Sequence, residues 1–140
     1  MIPVLVLTHG NLASELLKAA EIIDPSLEGQ AAAMSLPWDV DSDEASRTLK
    51  KQLRELDQGD GTLVLTDMFG GTATNLALAF LEPKKVEIVT GVNLPMLVKL
   101  GSLKGRDLSL EELATGLTAA GQKSIRLASE LLHARAVGSK

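Results

Sequence analysis

Residues 2–10 read IPVLVLTHG, an unbroken apolar run that ends in threonine, histidine and glycine. The run Ile2–Leu7 does not alternate with polar residues, which is typical of a strand covered on both faces. Asn11 can cap a following helix, whose apolar positions recur with the helical period as far as Ile23. The stretch therefore predicts a strand that runs directly into a helix, with His9 at the junction.

The same strand-then-helix pattern recurs along the rest of the chain. Further strands are predicted at Gln30–Leu36, Thr62–Thr66 and Val86–Thr90. The helices that follow them are expected to begin near Asp41 or Ser42, at about Thr74, at Pro95 and after Ser109. We expect Gly101 to terminate the helix that begins at Pro95. This β-α-β-α-β-α-β-α order indicates an α/β fold with an open, doubly wound, mainly parallel sheet and helices on both faces.

The chain of 140 residues is long enough to bury a substantial core in one domain. We expect that domain to span residues 1–136 and residues 137–140 to be a frayed tail. The tail Ser124–Lys140 is ambiguous. Its alternation of Ile125 and Leu127 fits a strand, whereas the leucines that follow fit a helix face.

The chain carries few reactive side chains. It has no cysteine and no tyrosine, one tryptophan and two histidines, His9 and His133. The absence of cysteine excludes disulfides, thiolate metal sites and cysteine nucleophiles, and two histidines argue against a histidine-rich metal centre. We therefore expect no metal and no cofactor. Imidazole chemistry is assigned to His9, because His133 lies in the tail without an acidic or glycine-rich companion.

Charge and hydropathy limit the partners. The net charge of −4 argues against a nucleic-acid partner, which needs a basic face, and Phe69, Phe80 and Trp38 are too few for a base-stacking platform. No apolar run approaches the roughly 18 residues of a membrane span. The apolar N-terminus also lacks the basic start of a signal peptide. We therefore expect a cytoplasmic protein.

Chemically active residues follow the predicted strands at their carboxyl ends. Parallel strands bring these ends to one edge of the sheet, where ligands bind in open α/β folds. The loops concerned are Thr8-His9-Gly10, Pro37-Trp38-Asp39, Asp67–Thr72 and Gly91-Val92-Asn93. Topology alone therefore places His9 and Asp67 on the same edge.

An aspartate beside a histidine has a defined chemical effect. Its carboxylate accepts an N–H bond from one ring nitrogen and leaves the lone pair of the other free to act as a base, metal ligand or nucleophile. Gly10 lets the chain turn beside His9. Gly70 and Gly71 let main-chain N–H groups approach an anion, and Thr72 can add a hydroxyl. The alternatives are a turn histidine that only packs locally, a turn aspartate and a flexible glycine connection.

Three stretches together resemble a known family. Thr8-His9-Gly10, residues 67–75 (DMFGGTATN) and residues 91–97 (GVNLPML) are similar to the mannose-family enzyme IIA component of the bacterial sugar phosphotransferase system. The resemblance covers essentially the whole chain. It implies that HPr, a small phosphocarrier protein, donates a phosphoryl group to His9. Phospho-His9 then passes that group to an enzyme IIB domain, which phosphorylates the incoming sugar at the membrane.

The resemblance also implies roles for other residues and an assembly. Asp67 matches the acidic partner of the family's histidine, and Thr72 matches a hydroxyl position near the phosphoryl group. The family is dimeric, with a C-terminal strand exchanged between subunits and paired antiparallel at the sheet edge, which would account for Ser124–Ser129. We therefore expect a homodimer that meets the membrane only indirectly, through the permease complex.

Other functions remain open on the same residues. A stand-alone regulatory protein would use phosphorylation of His9 as its signal, and the phosphotransfer subunit of dihydroxyacetone kinase shares the fold and the histidine. A flavodoxin-like binder of a nucleotide or small ligand could use the same sheet edge, but the chain lacks a phosphate fingerprint. The sugar is not predictable, because the IIB and membrane components contact it and IIA does not.

Overall fold

Four parallel strands form the centre of the computed structural model, which describes residues 2–103 and 105–138. The strands are β1 (Val4–His9), β2 (Ala31–Leu36), β3 (Thr62–Thr66) and β4 (Val86–Thr90). Their spatial order is β2-β1-β3-β4, and every neighbouring pair is parallel. The expected α/β fold is confirmed.

Six α-helices and one short 3-10 helix, Pro25–Leu27, connect and follow the strands. The α-helices are α1 (Leu12–Ile23), α2 (Ser42–Leu56), α3 (Thr72–Leu78), α4 (Leu94–Leu103), α5 (Leu110–Lys123) and α6 (Ala128–Gly138). Across the described residues, no helix combines the length and the apolar character that a membrane crossing requires.

Helices cover both faces of the sheet. In β1, Val4 and Val6 point into a core shared with α1, α4 and α5, whereas Leu5 and Leu7 point into a second core shared with α2 and α3. All four side chains are almost fully buried. Because successive strand residues point to opposite faces, the unbroken apolar run of β1 supplies both cores at once.

The strand order creates a switch point between β1 and β3. After β1 the chain moves to one side to form β2, and β3 then returns to the other side of β1. The loops that leave β1 and β3 therefore diverge, and they open a crevice at the carboxyl edge of the sheet between the two strands. His9, the last residue of β1, and Asp67, which follows β3, both lie at this crevice.

Side chains cap the N-terminal ends of several helices. Asp41 caps α2, Asn93 caps α4, and Ser109 with Glu112 forms a capping box on α5. At α1 the prediction is wrong: Asn11 makes no side-chain capping bond. Instead the Thr8 hydroxyl accepts a hydrogen bond from the Ala13 N–H at 2.8 Å. A buried strand residue thus ties β1 to the helix that follows it.

Boundaries of three elements differ from the predictions. β1 extends to His9, because Thr8 and His9 still pair in register with Ser35 and Leu36 of β2. α4 begins at Leu94 and continues through Gly101 to Leu103. A side chain at Gly101 would collide with the Asp24 carboxylate, so this glycine permits close packing and does not end the helix. Helix α3 begins at Thr72, two residues earlier than expected.

The C-terminal segment also differs from expectation. Ile125 and Leu127 lie in an irregular connection, and Ala128–Gly138 forms α6, which is the helical alternative that the sequence left open and not the edge strand that the resemblance implied within Ser124–Ser129. Within a single chain the segment pairs with no sheet edge, so its backbone groups are satisfied by helix formation instead. Exchange of a strand between two subunits stays a prediction. The frayed tail was expected over residues 137–140; Val137 and Gly138 belong to α6, and Ser139 and Lys140 lie outside the described residues.

Replacement of Leu49 tests the core beneath α2. The side chain is fully buried, and Leu49→Ala should lower the free energy of unfolding by about 2–5 kcal/mol because it leaves a cavity. The neighbouring Lys50 is exposed, so Lys50→Ala should change stability by less than about 0.5 kcal/mol. Urea denaturation of both variants measures the difference, and equal midpoints would contradict this packing.

Candidate functional site

His9 and Asp67 meet through a single carboxylate oxygen. Asp67 Oδ2 lies 2.7 Å from His9 Nδ1 and also accepts the His9 backbone N–H at 3.0 Å. The other oxygen, Oδ1, accepts the Met68 N–H at 3.0 Å. The side chains are largely buried, with 18% of His9 and 11% of Asp67 exposed. The structure therefore brings together the two residues that the sequence placed on one edge.

The protonation of Asp67 sets the tautomer of the imidazole. Burial raises the pKa of the Asp67 carboxyl, but the His9 backbone N–H, the His9 ring and the Met68 N–H together outweigh it, so the pKa lies below its ordinary value of 3.8. The carboxylate is therefore ionised at neutral pH and can only accept hydrogen bonds. Nδ1 must then carry the hydrogen, and Nε2 of the neutral ring keeps its lone pair.

Gly70 and Gly71 serve the site in different ways. Gly70 has φ +84°, a conformation that residues with side chains rarely adopt, and so it shapes the turn after Met68 and Phe69. Gly71 has an ordinary φ of −84°. A Cβ added there would lie 2.9 Å from Cε1 and 3.7 Å from Nε2 of His9. A residue larger than glycine does not fit at position 71, because the His9 imidazole occupies the space that a Cβ would need.

The N-terminus of α3 approaches the same side of the imidazole. Gly71 is its N-cap residue and supplies no side-chain acceptor. The first N–H groups of a helix have no carbonyl partner within the helix, so those of residues 72–74 can be offered to an anion, whereas the Asn75 N–H already donates to Gly71 O at 3.0 Å. Thr72 is the first residue of α3 and half-buried. The Gly10 N–H, in contrast, already donates to Leu36 O at 2.8 Å.

Buried threonines, which the sequence analysis passed over, hold the Asp67 loop in place. The hydroxyls of Thr66 and Thr74 lie 2.6 Å apart, and Thr74 also donates to Met68 O. Both side chains are completely buried. Thr66 ends β3, and Thr8 lies near the end of β1. A polar residue at the carboxyl end of an otherwise apolar strand was the sequence signal that could have identified these threonines.

Trp38 joins the site from the loop that follows β2. Its indole stacks on the His9 imidazole with ring centroids 5.4 Å apart and an angle of 16° between the planes. The tryptophan side chain is 82% exposed. The sequence placed Trp38 on this edge, but it did not distinguish a packing role from a contact with the histidine.

Exposed apolar side chains surround the site. Met68, Phe69 and Leu12 join Trp38 among the exposed large hydrophobic residues. Nε2 thus lies in an open, apolar rim and not in a deep pocket. His133 lies elsewhere, exposed on α6. Within residues 2–103 and 105–138, no three histidine, aspartate or glutamate side chains are grouped to hold a metal ion.

The chain matches a family model described as "PTS system fructose IIA component", EIIA-man, over residues 3–117. It is 30% identical over 138 residues to the PTS system fructose-specific EIIA component of Bacillus subtilis, covering 95% of this chain and 90% of that protein. It is also 32% identical over 129 residues to the PTS system mannose-specific EIIAB component of Escherichia coli, covering 89% of this chain. The chain spans only 39% of the length of that relative.

Solved structures agree with the sequence comparisons. The mannose/sorbose specific IIA subunit of Enterococcus faecalis superposes with a TM-score of 0.79 and 29% identity, covering 91% of this chain and 95% of that one. A PTS IIA protein associated with the fucose utilization operon of Streptococcus pneumoniae gives a TM-score of 0.79 and 33% identity, covering 94% of this chain and 97% of that one. Because the family model matches most of this chain, the chain belongs to the EIIA-man family of phosphotransferase-system IIA components, which is a family of phosphotransfer proteins.

Proposed function

We propose that the protein is a cytoplasmic phosphohistidine relay, which accepts a phosphoryl group from HPr on His9 and passes it to an enzyme IIB component for sugar uptake. The observation that carries the proposal is the bond between His9 Nδ1 and Asp67 Oδ2 at 2.7 Å. It engages one ring nitrogen and leaves the other as the nucleophile. Membership of the EIIA-man family supports the same chemistry.

The transfer is a displacement at phosphorus. The Nε2 lone pair of His9 forms a bond to the phosphorus of phospho-HPr as the bond between that phosphorus and the donor's histidine breaks. Attack leaves the His9 ring with a positive charge, which the Asp67 carboxylate offsets through Nδ1–H. In the second step an IIB side chain takes the phosphoryl group, and His9 returns to its neutral form. No proton has to leave Nδ1 in either step.

Charge on the transferred group requires stabilisation, because the three equatorial oxygens share it in the transition state. The N–H groups at the start of α3 are the donors closest in sequence to Gly71, which contacts the imidazole. Backbone donors fixed in place need no rearrangement during the reaction. We therefore assign the phosphoryl-binding role to Gly71 and Thr72 with the support of Gly70. Gly10 contributes through its position at the turn, since its own N–H is occupied.

The open rim suits a relay between proteins. Two successive partners have to reach the same nitrogen, and Phe69, which is 75% exposed, lies with Met68 and Trp38 around it. Aromatic and methionine side chains are enriched in protein interfaces. We infer that HPr and enzyme IIB dock on the side of this rim that Met68 and Phe69 form.

A homodimer is part of the proposal. Ile125 and Leu127 are exposed by 77% and 62%, and Leu131 and Leu132 on α6 are exposed as well. Exposed apolar residues that lie together in this way are typical of protein interfaces. We infer that a second copy of the chain covers this segment, with residues 1–136 of each copy acting as one domain.

Phosphoryl labelling tests the acceptor directly. Incubation with phospho-HPr should place an acid-labile phosphate on the unaltered protein, and His9→Ala should abolish the label because no nucleophile remains. His133→Ala is the matched control and should label as fully as the unaltered protein. Mass spectrometry under conditions that preserve phosphohistidine locates the group. Retention of the label by His9→Ala would refute the assignment.

Removal of the Asp67 charge should slow the transfer. Asp67→Asn keeps the size of the side chain but cannot offset the charge that develops on the ring, and the amide can present either an acceptor or a donor to Nδ1. We expect the rate of His9 phosphorylation to fall about 10- to 100-fold, with the fold intact by circular dichroism. An unchanged rate would remove Asp67 from the mechanism.

Gly71→Ala and Gly70→Ala separate crowding of the imidazole from strain of the loop. The methyl group of Gly71→Ala would lie 2.9 Å from Cε1, so the ring must move and phosphorylation should slow. Gly70→Ala meets no atom within 4 Å, but its positive φ should cost about 1–2 kcal/mol of folding stability. Thermal unfolding and phosphorylation rates, measured together, report both effects. A Gly71→Ala variant with unaltered rate would contradict the proposed contact.

A further inference from the structure

Trp38 contacts the reacting ring although the relay chemistry itself does not require an indole. The indole stacks on the imidazole at 5.4 Å and nearly parallel. With 82% of its surface exposed, the side chain is not held by core packing. Its Nε1 lies over Gly10, where an added Cβ would be 3.2 Å away. The His9 ring and the Gly10 backbone are therefore the contacts that orient the indole.

Three residues contact the His9 imidazole, and each lies against a different part of the ring. Asp67 bonds to Nδ1, and Gly71 approaches the edge that carries Cε1. Trp38 covers one face of the ring. Among the residues that the structure describes, none forms a hydrogen bond with Nε2. The surroundings of the ring thus leave one atom available for reaction.

A single hydrogen bond does not fix the plane of an imidazole. The bond from Nδ1 to Asp67 restrains rotation about the Cβ–Cγ bond, but a hydrogen bond tolerates a range of angles and the torsion itself is broad, so the ring plane can still swing within that range. An aromatic side chain stacked on the face opposes that rotation, because offset stacking is favourable only when the planes remain nearly parallel. Misplacement of a nucleophile by about 1 Å can cost 100-fold in rate.

We propose that Trp38 is a positioning residue for His9, whose indole holds the imidazole plane so that Nε2 faces the incoming phosphorus. The inference rests on the proposed phosphotransfer function and deepens it. Trp38 does not contact the phosphorus and acts only through the ring that it covers. Its loss should therefore lower the maximal rate of phosphorylation more than the affinity for the donor.

The stack can be observed without any phosphoryl transfer. An indole ring current shifts the protons of an imidazole beneath it upfield, so the His9 ring protons of the unaltered protein should resonate upfield of those in Trp38→Ala. The control is His133, whose ring protons should be the same in both proteins. Identical His9 shifts in the two proteins would overturn the inference, whatever the outcome for phosphorylation.

Kinetics separates positioning from docking. With phospho-HPr as the varied donor, Trp38→Ala should lower the maximal rate of His9 phosphorylation about three- to tenfold. The donor concentration at half-maximal rate should stay within about twofold. Trp38→Phe, which can still stack, should recover most of the rate. Ile22→Ala is the control, because Ile22 is equally exposed, at 83%, but lies at the far end of α1.

The outcomes distinguish this inference from the function on which it rests. Failure of the unaltered protein to carry phosphate on His9 would overturn the proposed function. A labelled His9 whose maximal rate is unaffected by Trp38→Ala would overturn only the positioning role. The same holds if the loss appears solely in the half-saturating donor concentration, or if Trp38→Phe is as slow as Trp38→Ala.

Discussion

The site depends on one carboxylate oxygen, Asp67 Oδ2, which fixes the ends of two strands and the His9 ring relative to one another. Asp67 Oδ2 accepts both the backbone N–H and the ring Nδ1 of His9, at 3.0 Å and 2.7 Å. The first bond fixes the end of β1 relative to the end of β3, and the second fixes the tautomer of the imidazole. Because the same atom accepts both bonds, the position of the backbone and the chemistry of the side chain cannot change independently. Ionisation of Asp67 strengthens both bonds, because a charged acceptor binds N–H groups more strongly.

The surrounding fold keeps that oxygen in place. β1 and β3 are the two central strands, buried on both faces, so their carboxyl ends are the least mobile part of the sheet edge. The Thr66 and Thr74 hydroxyls bind each other, and Thr74 also donates to Met68 O, which holds the loop that carries Asp67 against α3. The Thr8 hydroxyl does the same for α1 on the other side of the crevice. Preorganisation of this kind is what phosphoryl transfer requires, since little of its catalysis comes from covalent chemistry of the protein.

The residues beneath His9 are buried and held by hydrogen bonds, whereas the side chains above it are exposed to solvent. Asp67 and most of His9 are shielded, whereas Trp38, Met68 and Phe69 extend from the same edge into solvent. An enzyme that acts on a small molecule would enclose its nucleophile, but a relay between proteins has to present it. The exposed side chains lie on loops, while the strands beneath them keep the ring and the carboxylate together.

The sequence by itself determined the order of the elements, the division of β1 between two cores and the presence of His9 and Asp67 on one edge. Each of these follows from local pattern: apolar runs, helical spacing and parallel connections.

The sequence did not determine the strand order, because several orders satisfy the same connections, and only the observed order makes β1 and β3 neighbours. The alanines of β2 form a strand although alanine has a weak β propensity, because hydrogen-bonded pairing with β1 stabilises the extended conformation. The Trp38 stack, the threonine bonds and the space that Gly71 leaves for the imidazole are contacts between residues distant in the chain. Such contacts depend on where folded elements meet, and the tertiary structure alone decided them.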